Sequence, residues 1–214
     1  MTIDRTQREQ ELATALAAAL LRLRTSIESG VPNYYQFTAE AGAALRDGLA
    51  ATYRDAANDL TATHGDGSSA NVEAQASQYA ASVADSIAQA MADNTAAALG
   101  GVAIVGGSLV GSHLFSAERA AATAITETTR AISQGQQAAA GLIALATRSR
   151  LTVRWKTEGD DKVCPICSPL DGKTENEPEG YGREFPGGPP AHPYCRCELA
   201  FQFEPVLSPV GGGI

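Results

Sequence analysis

All four cysteines of this 214-residue chain lie in its last third, as Cys164-Pro165-Ile166-Cys167 and, much later, Cys195-Arg196-Cys197 with His192 just upstream. A Cys-x-x-Cys turn aims two thiolates at one point, and a second cluster of His and Cys completes a tetrahedral shell around zinc. Cys164, Cys167, His192, Cys195 and Cys197 therefore compete for four places. Cys164 and Cys167 form the first pair. The second pair stays open among His192 with Cys195, Cys195 with Cys197, and His192 with Cys197, and the repeated two-residue gap favours the first of these. The expectation is one structural zinc ion. The competing readings are a reduced thiol cluster or a Cys164–Cys167 disulfide. A thioredoxin-like redox site is disfavoured because Pro169 and Gly172 interrupt any helix after the Cys-x-x-Cys.

The interval between the clusters supports a metal. Ser168 to Ala191 contains ten Gly or Pro residues and very few large apolar ones, so it cannot order itself by burial. Closing such a loop costs roughly 3 kcal/mol plus a constant, whereas structural zinc contributes on the order of 10 kcal/mol in small domains. The flanks read as strands. Leu151 to Thr157 alternates apolar and polar residues, and Leu199, Phe201 and Phe203 share one face. One strand entering the knot and one leaving it would pair, with Trp155, the only tryptophan, as core plug. Residues 151–204 thus read as a zinc-stapled β-hairpin module, and 205–214, with Pro209 and three consecutive glycines, as a disordered tail.

The body that must carry this module, residues 1–150, reads as helical and alanine-rich, with helices over 7–29, 39–63, 71–99, 117–134 and 136–147. In the first, Thr6 and Glu9 suggest a capping box, and Leu12, Leu16, Leu20, Leu23 and Ile27 form an apolar stripe. Tyr34, Tyr35 and Phe37 read as an aromatic connector, and His64 as a solvated loop residue. The third helix lines up Val72, Ala76, Tyr79, Val83, Ile87 and Met91. The fourth starts at Ser116, carries Ala121, Ile125, Thr128 and Ile132, and meets a break at Gly135. The fold class is mainly α with a small β module, α+β. Alanine favours helix but buries little area, so an oligomeric or assembly-bound state is attractive.

From Asn94 to Ala117 no side chain is charged if His113 is neutral, and the centre is glycine-rich. Its length suits a bilayer span, but glycines and serines keep it weakly hydrophobic, so a buried hairpin or joint is preferred over membrane insertion. A formal charge of -8 argues against a generic electrostatic grip on nucleic acid, leaving DNA a weak candidate partner. Asp4, Arg5, Arg8 and Glu9 stand where a signal peptide would need an apolar core, and an intracellular, reducing site of synthesis, where thiols bind metal, is expected.

No catalytic motif assembles: there is no His-Glu-x-x-His, no phosphate-cradling Gly-rich Lys loop and no nucleophile elbow. Asp160 and Asp161 could act as a base beside the metal, but a shell filled by four protein ligands leaves no open position. Glu127 and Arg130 have the spacing of an ordinary helix ion pair. The chain is expected not to be an enzyme.

Trp155-Lys156-Thr157, Asp160-Asp161, Val163-Cys164-Pro165-Ile166-Cys167, Leu170-Asp171-Gly172-Lys173, Pro189-Pro190-Ala191-His192-Pro193 and Cys195-Arg196-Cys197 together resemble the C-terminal module of phage Mu F-like minor head proteins, the phage head morphogenesis family. Upstream, Ile125-Thr126-Glu127-Thr128 and Arg130-Ala131 resemble that family's helix with a Thr-Glu pair. The resemblance covers roughly the last hundred residues. It implies a structural role at the portal vertex in procapsid assembly, with portal and capsid or scaffold proteins as partners, synthesis in the host bacterial cytoplasm, a place in the virion head interior, and a part in DNA packaging or delivery. The alternative from the residues alone is a zinc-binding nucleic-acid module using Arg154, Lys156, Lys162, Lys173, Arg183 and Arg196.

Overall fold

A computed structural model describes residues 4–64, 71–100, 104–105, 108–109, 112–159, 163–175 and 180–206. Among these the elements run α1 (Arg5–Glu28), α2 (Tyr34–His64), α3 (Val72–Leu99), β1 (Ile104–Val105), β2 (Ser108–Leu109), α4 (Ala117–Thr147), β3 (Ser149–Lys156) and β4 (Glu198–Pro205), with short 3-10 turns at Ser112–Phe115, Ser168–Leu170 and Tyr181–Arg183. The mainly helical class with a small C-terminal hairpin is as the sequence predicts.

Several boundaries differ, each for a local reason. α1 opens on Asp4, whose carboxylate accepts the Gln7 amide at 3.0 Å; a capping carboxylate also meets the positive end of the helix, an advantage Thr6 lacks. α2 starts at Tyr34 rather than at residue 39, because Asn33 Oδ1 accepts the Gln36 amide and caps it. The aromatic connector is thus its first turn: Phe37 is buried while Tyr35 is 85% exposed. His64 ends α2, and its exposed ring packs on Phe203 with centroids 5.0 Å apart.

α1 buries Leu12, Leu16, Leu20, Leu23 and Ile27, the predicted stripe, against Phe37, Leu45 and Leu49 of α2. α3 is rotated from its predicted face: Ala76, Ala80, Ala84, Ala88 and Ala92 form the buried seam, and Tyr79, Val83 and Ile87 flank it half-buried. Small side chains at four-residue spacing let two helices approach closely, and Gly42 on α2 lies in that contact, with space for a Cβ limited by Ala88 and Asp85. Dispersion across a short interaxial distance substitutes for the area that leucines would bury.

The same physics removes the break expected at Gly135. α4 runs unbroken from 117 to 147 instead of dividing into 117–134 and 136–147. Gly135 is buried at the crossing with α2, where an added Cβ would collide with the Tyr53 carbonyl oxygen and lie 3.2 Å from the Ala56 methyl. Glycine is there because the helices touch, not because the chain must turn. Ser116 caps α4 as predicted, accepting the Arg119 amide at 3.2 Å. The buried stripe shifts to Ala120, Ala124, Thr128, Ala131, Gly135, Ala139 and Ile143, leaving Ile125 and Ile132 half-buried.

Within the 94–117 stretch, α3 ends at Leu99, and β1 and β2 pair antiparallel with Ile104 opposite Leu109 and Val105 opposite Ser108. Residues 101–103, 106–107 and 110–111 of that glycine-rich centre lie outside the described residues, as do Asp160, Asp161, Lys162 and the tail from 207. Among the described residues no helix is long and apolar enough to cross a membrane.

At the C-terminus of α4, Arg148 adopts a left-handed conformation (φ 51°) and the chain turns directly into β3, two residues before the predicted module boundary. β3 and β4 pair antiparallel along their whole length, from Ser149 opposite Pro205 to Lys156 opposite Glu198. The strand that enters the cysteine-bearing loop therefore pairs with the one that leaves it. One face of this hairpin carries Leu151, Val153 and Trp155 with Leu199, Phe201 and Phe203. Leu151, Phe201 and Phe203 pack on Ala57, Leu60, Val72 and Ile143 of the helices, while Val153, Trp155 and Leu199 close over the cysteines.

Candidate metal centre

The loop between β3 and β4 folds back on its own hairpin. The Trp155 amide donates to the Lys173 carbonyl and the Trp155 carbonyl accepts the Gly172 amide, both at 2.8 Å, beside an isolated antiparallel bridge between Arg154 and Thr174. Tyr181 packs edge-on against the Trp155 indole at 5.3 Å, and Phe185 lies 5.7 Å away. Trp155 is 1% exposed, so it is the plug the sequence predicts. Gly187 and Gly188, both at positive φ, carry the chain between α4 and β4: a Cβ on Gly187 would strike Gln134, and one on Gly188 would strike Leu199.

Two turns bring the candidate ligands together. In the first, the Cys167 amide donates to the Cys164 carbonyl at 3.1 Å and faces the Cys164 sulfur at 3.4 Å, and Ser168 donates to the same carbonyl at 2.9 Å. In the second, the Cys195 amide donates to the His192 carbonyl at 3.2 Å, and Tyr194 takes a left-handed conformation with φ 62°. Cys164 Sγ lies 3.0 Å and Cys167 Sγ 3.1 Å from His192 Nε2, and Cys167 Sγ is 3.8 Å from Cys195 Sγ. All five sequence-predicted residues thus gather in one place. They form two overlapping triads, Cys164 with Cys167 and His192, and Cys167 with Cys195 and Cys197; within each triad the ligand atoms lie within 4.8 Å of one another. Cys167 belongs to both.

The donor set fits a metal ion on three counts. The Cys167–Cys195 separation matches the edge of a tetrahedron with zinc–sulfur bonds of about 2.3 Å, which is about 3.8 Å. His192 Nδ1 lies 2.7 Å from the Pro193 carbonyl oxygen, which can only accept, so Nδ1 carries the proton and Nε2 turns its lone pair toward the sulfurs. Finally, Cys167, Cys195 and Cys197 are all buried, yet among themselves they stabilise little negative charge. The Cys197 thiol hydrogen-bonds to Cys195 and pulls it down to about 5. Burial pushes Cys167 up to about 12. Cys197 is driven far up by donating to Cys195 and by burial. Without a cation only one of the three gives up its proton near neutral pH; a dication offsets the repulsion among further thiolates. The buried Trp155 indole N–H, without a hydrogen-bond acceptor of its own, interacts with Cys197 in the sense that favours a thiolate.

Glu127 and Arg130 form an ion pair at 3.0 Å on α4. What sequence reasoning missed is the support beneath the second turn: Thr126, Thr129 and Arg5 all hydrogen-bond to residues 194–196. The signal available for them was weak, two threonines three residues apart on an alanine-rich helix.

This fold, a helical body bearing a hairpin whose loop gathers four cysteines and a histidine, defines a small α+β protein with a Cys/His cluster that could hold a metal ion. Residues 81–200 match the family described as Phage Mu protein F like protein, more than half of the chain, and the chain belongs to that family. Membership places it among phage head morphogenesis proteins, which associate with the virion and with other phage head proteins. The matched span opens within α3 and closes within β4, so it covers α4, β3 and the whole cysteine-bearing loop. No curated protein and no solved structure matches the chain.

Proposed function

We propose that this protein is a non-enzymatic assembly component of a phage head, acting at the portal vertex during procapsid assembly in contact with portal and capsid or scaffold proteins, and contributing to DNA packaging or delivery. A single structural zinc ion held by Cys164, Cys167, His192 and Cys195 staples the loop, with Cys197 as a buried neighbour donating to Cys195. The observation that carries this reading is the coincidence of the family match with the cysteine-bearing loop. A shell filled by protein ligands leaves no position for water or substrate, which supports a structural rather than a catalytic ion. Exposed Val31 and Tyr35 at the α1–α2 turn and Leu21 on α1 are the first surfaces to vary in a search for assembly contacts.

The nucleic-acid alternative draws less support. Seven helix arginines, Arg5, Arg8, Arg22, Arg24, Arg46, Arg54 and Arg130, are ion-paired with acids and so offer phosphates little free charge. Co-expression with the portal protein of the same phage, followed by affinity purification, tests the proposal. A stable complex is expected. Separate elution, together with DNA binding that weakens steeply as salt rises, would favour the alternative.

A further inference from the structure

The two ligand-bearing turns are built differently. The Cys164–Cys167 turn is closed by its own backbone: both of its amide bonds go to the Cys164 carbonyl. The His192–Cys197 turn has one internal backbone–backbone bond, from the Cys195 amide to the His192 carbonyl, and several of its other polar groups reach out to helices distant in sequence. The Tyr194 amide donates to Thr126 Oγ1 at 3.2 Å, and the Tyr194 hydroxyl donates to the Glu118 carbonyl at 2.7 Å. The Cys195 carbonyl lies 2.7 Å from Thr129 Oγ1. Arg5, in the first turn of α1, donates to Thr129 Oγ1 at 2.7 Å, to the Cys195 carbonyl at 3.4 Å and to the Arg196 carbonyl at 3.2 Å.

Thr129 is the hub. It is 1% exposed. One lone pair of its oxygen accepts from Arg5, and its single hydroxyl proton is shared between the Ile125 carbonyl at 2.8 Å and the Cys195 carbonyl at 2.7 Å. A buried polar junction of this kind specifies one arrangement, because any displacement of the turn leaves carbonyls unpaired. The Cys195 and Arg196 carbonyls are joined to the Cys195 Sγ by a few rigid bonds, so fixing those oxygens restricts where the sulfur can sit.

We propose that Arg5, Thr126 and Thr129 are positioning residues of the metal centre: α4 and the first turn of α1 pre-set the His192–Cys197 turn, so that the metal site and the start of the chain form one thermodynamic unit. This rests on the metal reading above. Coupling of this kind is reciprocal: loss of the side chains weakens metal binding, and loss of the metal loosens the first turns of α1. Outer-shell partners of metal sites typically contribute roughly tenfold to a hundredfold in affinity.

The test uses the full chain and cobalt(II), whose thiolate charge-transfer absorption reports sulfur coordination, titrated in competition with a chelator of known affinity. Thr129→Val keeps the shape and removes the hydroxyl; roughly tenfold to a hundredfold weaker binding is expected, with Thr129→Ser restoring affinity to near wild type. Arg5→Gln, at a partly exposed position, is a second variant expected to weaken binding while helical circular dichroism is unchanged. Hydrogen exchange at the amides of Arg8 to Leu12 should be slower with metal than after chelation in the wild type, and this difference should shrink in Thr129→Val. A purely structural role would lower the melting temperature of loaded and stripped protein equally and leave affinity untouched; equal cobalt affinity in wild type and both variants overturns the positioning role alone. Wild-type protein that takes up no cobalt overturns the metal reading and the positioning role with it.

Discussion

The helical body and the hairpin module solve the same problem, burying enough surface to hold a chain in one arrangement, by opposite means. The body uses many small contacts repeated along sequence: leucines at helical spacing in α1, an alanine seam in α3, and glycines where α2 meets its neighbours. The module uses a few large ones far apart in sequence: Trp155, Tyr181, Leu170 and Leu199 around three buried cysteines. Loss of one alanine contact leaves the body its other contacts. Loss of one contact in the module removes a large share of its core. The body is therefore expected to stand without metal, and the module to depend on it.

Stripping the metal should have the largest effect and separate the two regions most sharply. A chelator is expected to remove on the order of 10 kcal/mol from the module, shifting Trp155 fluorescence toward that of solvated tryptophan while the helical circular dichroism stays largely intact. A single transition in which both signals disappear together would show that the body also needs the ion. Trp155→Ala should follow, costing about 3–5 kcal/mol, measured as a lower denaturant midpoint of the fluorescence-silent module, followed by hydrogen exchange in β3 and β4.

Gly135→Ala tests the body's rule of close approach. In an ordinary helix position this change stabilises by up to about 1 kcal/mol. At the contact with Tyr53 it should instead destabilise, by about 1–3 kcal/mol for an overpacked core, read as a lower melting temperature. Gly141→Ala is the control: nothing lies within 4 Å of its added Cβ, so it should stabilise by about 0.5–1 kcal/mol. If both changes stabilise, the helices do not touch at Gly135 as described.

Acidity separates the two regions as well. Cys195, lowered to about 5 by the Cys197 thiol, is already a thiolate at neutral pH, whereas Cys167, raised to about 12 by burial, still holds its proton. Metal uptake must therefore release the Cys167 proton, and affinity should rise with pH between about 6 and 9 by roughly tenfold per unit for each proton released. The depressed Cys195 has its own consequence in stripped protein. Its contribution to stability is complete above the unfolded thiol value and is lost as pH falls toward about 5. Isothermal titration in buffers of different ionisation enthalpy counts the released protons; a count of zero would contradict the protonated state assigned to Cys167.

The contrast between the regions also governs what the sequence makes legible. The hairpin could be read from alternation alone, because Leu151, Val153 and Trp155 face Phe203, Phe201 and Leu199 in the register found. The gathering of the five candidate ligands could be read because few roles suit clustered Cys and His. In α3 the pattern misled, since Tyr79, Val83 and Ile87 are the larger apolar residues but Ala80, Ala84 and Ala88 permit closer packing. Gly135 looked like punctuation because its true reason, a neighbouring backbone, belongs to α2. Thr129 and Arg5 were invisible for the same cause: their partners lie 66 and about 190 residues away, and nothing local distinguishes them from ordinary helix residues.

The central claim is that one ion, shared between a self-closing turn and a turn held by helices, fixes the module. Native mass spectrometry of the purified full chain, compared with Cys167→Ser, tests it most directly, because Cys167 belongs to both ligand triads. The account predicts one zinc ion per wild-type chain and none in the variant. Wild-type protein that carries no metal, and whose melting curve a chelator leaves unchanged, would contradict it.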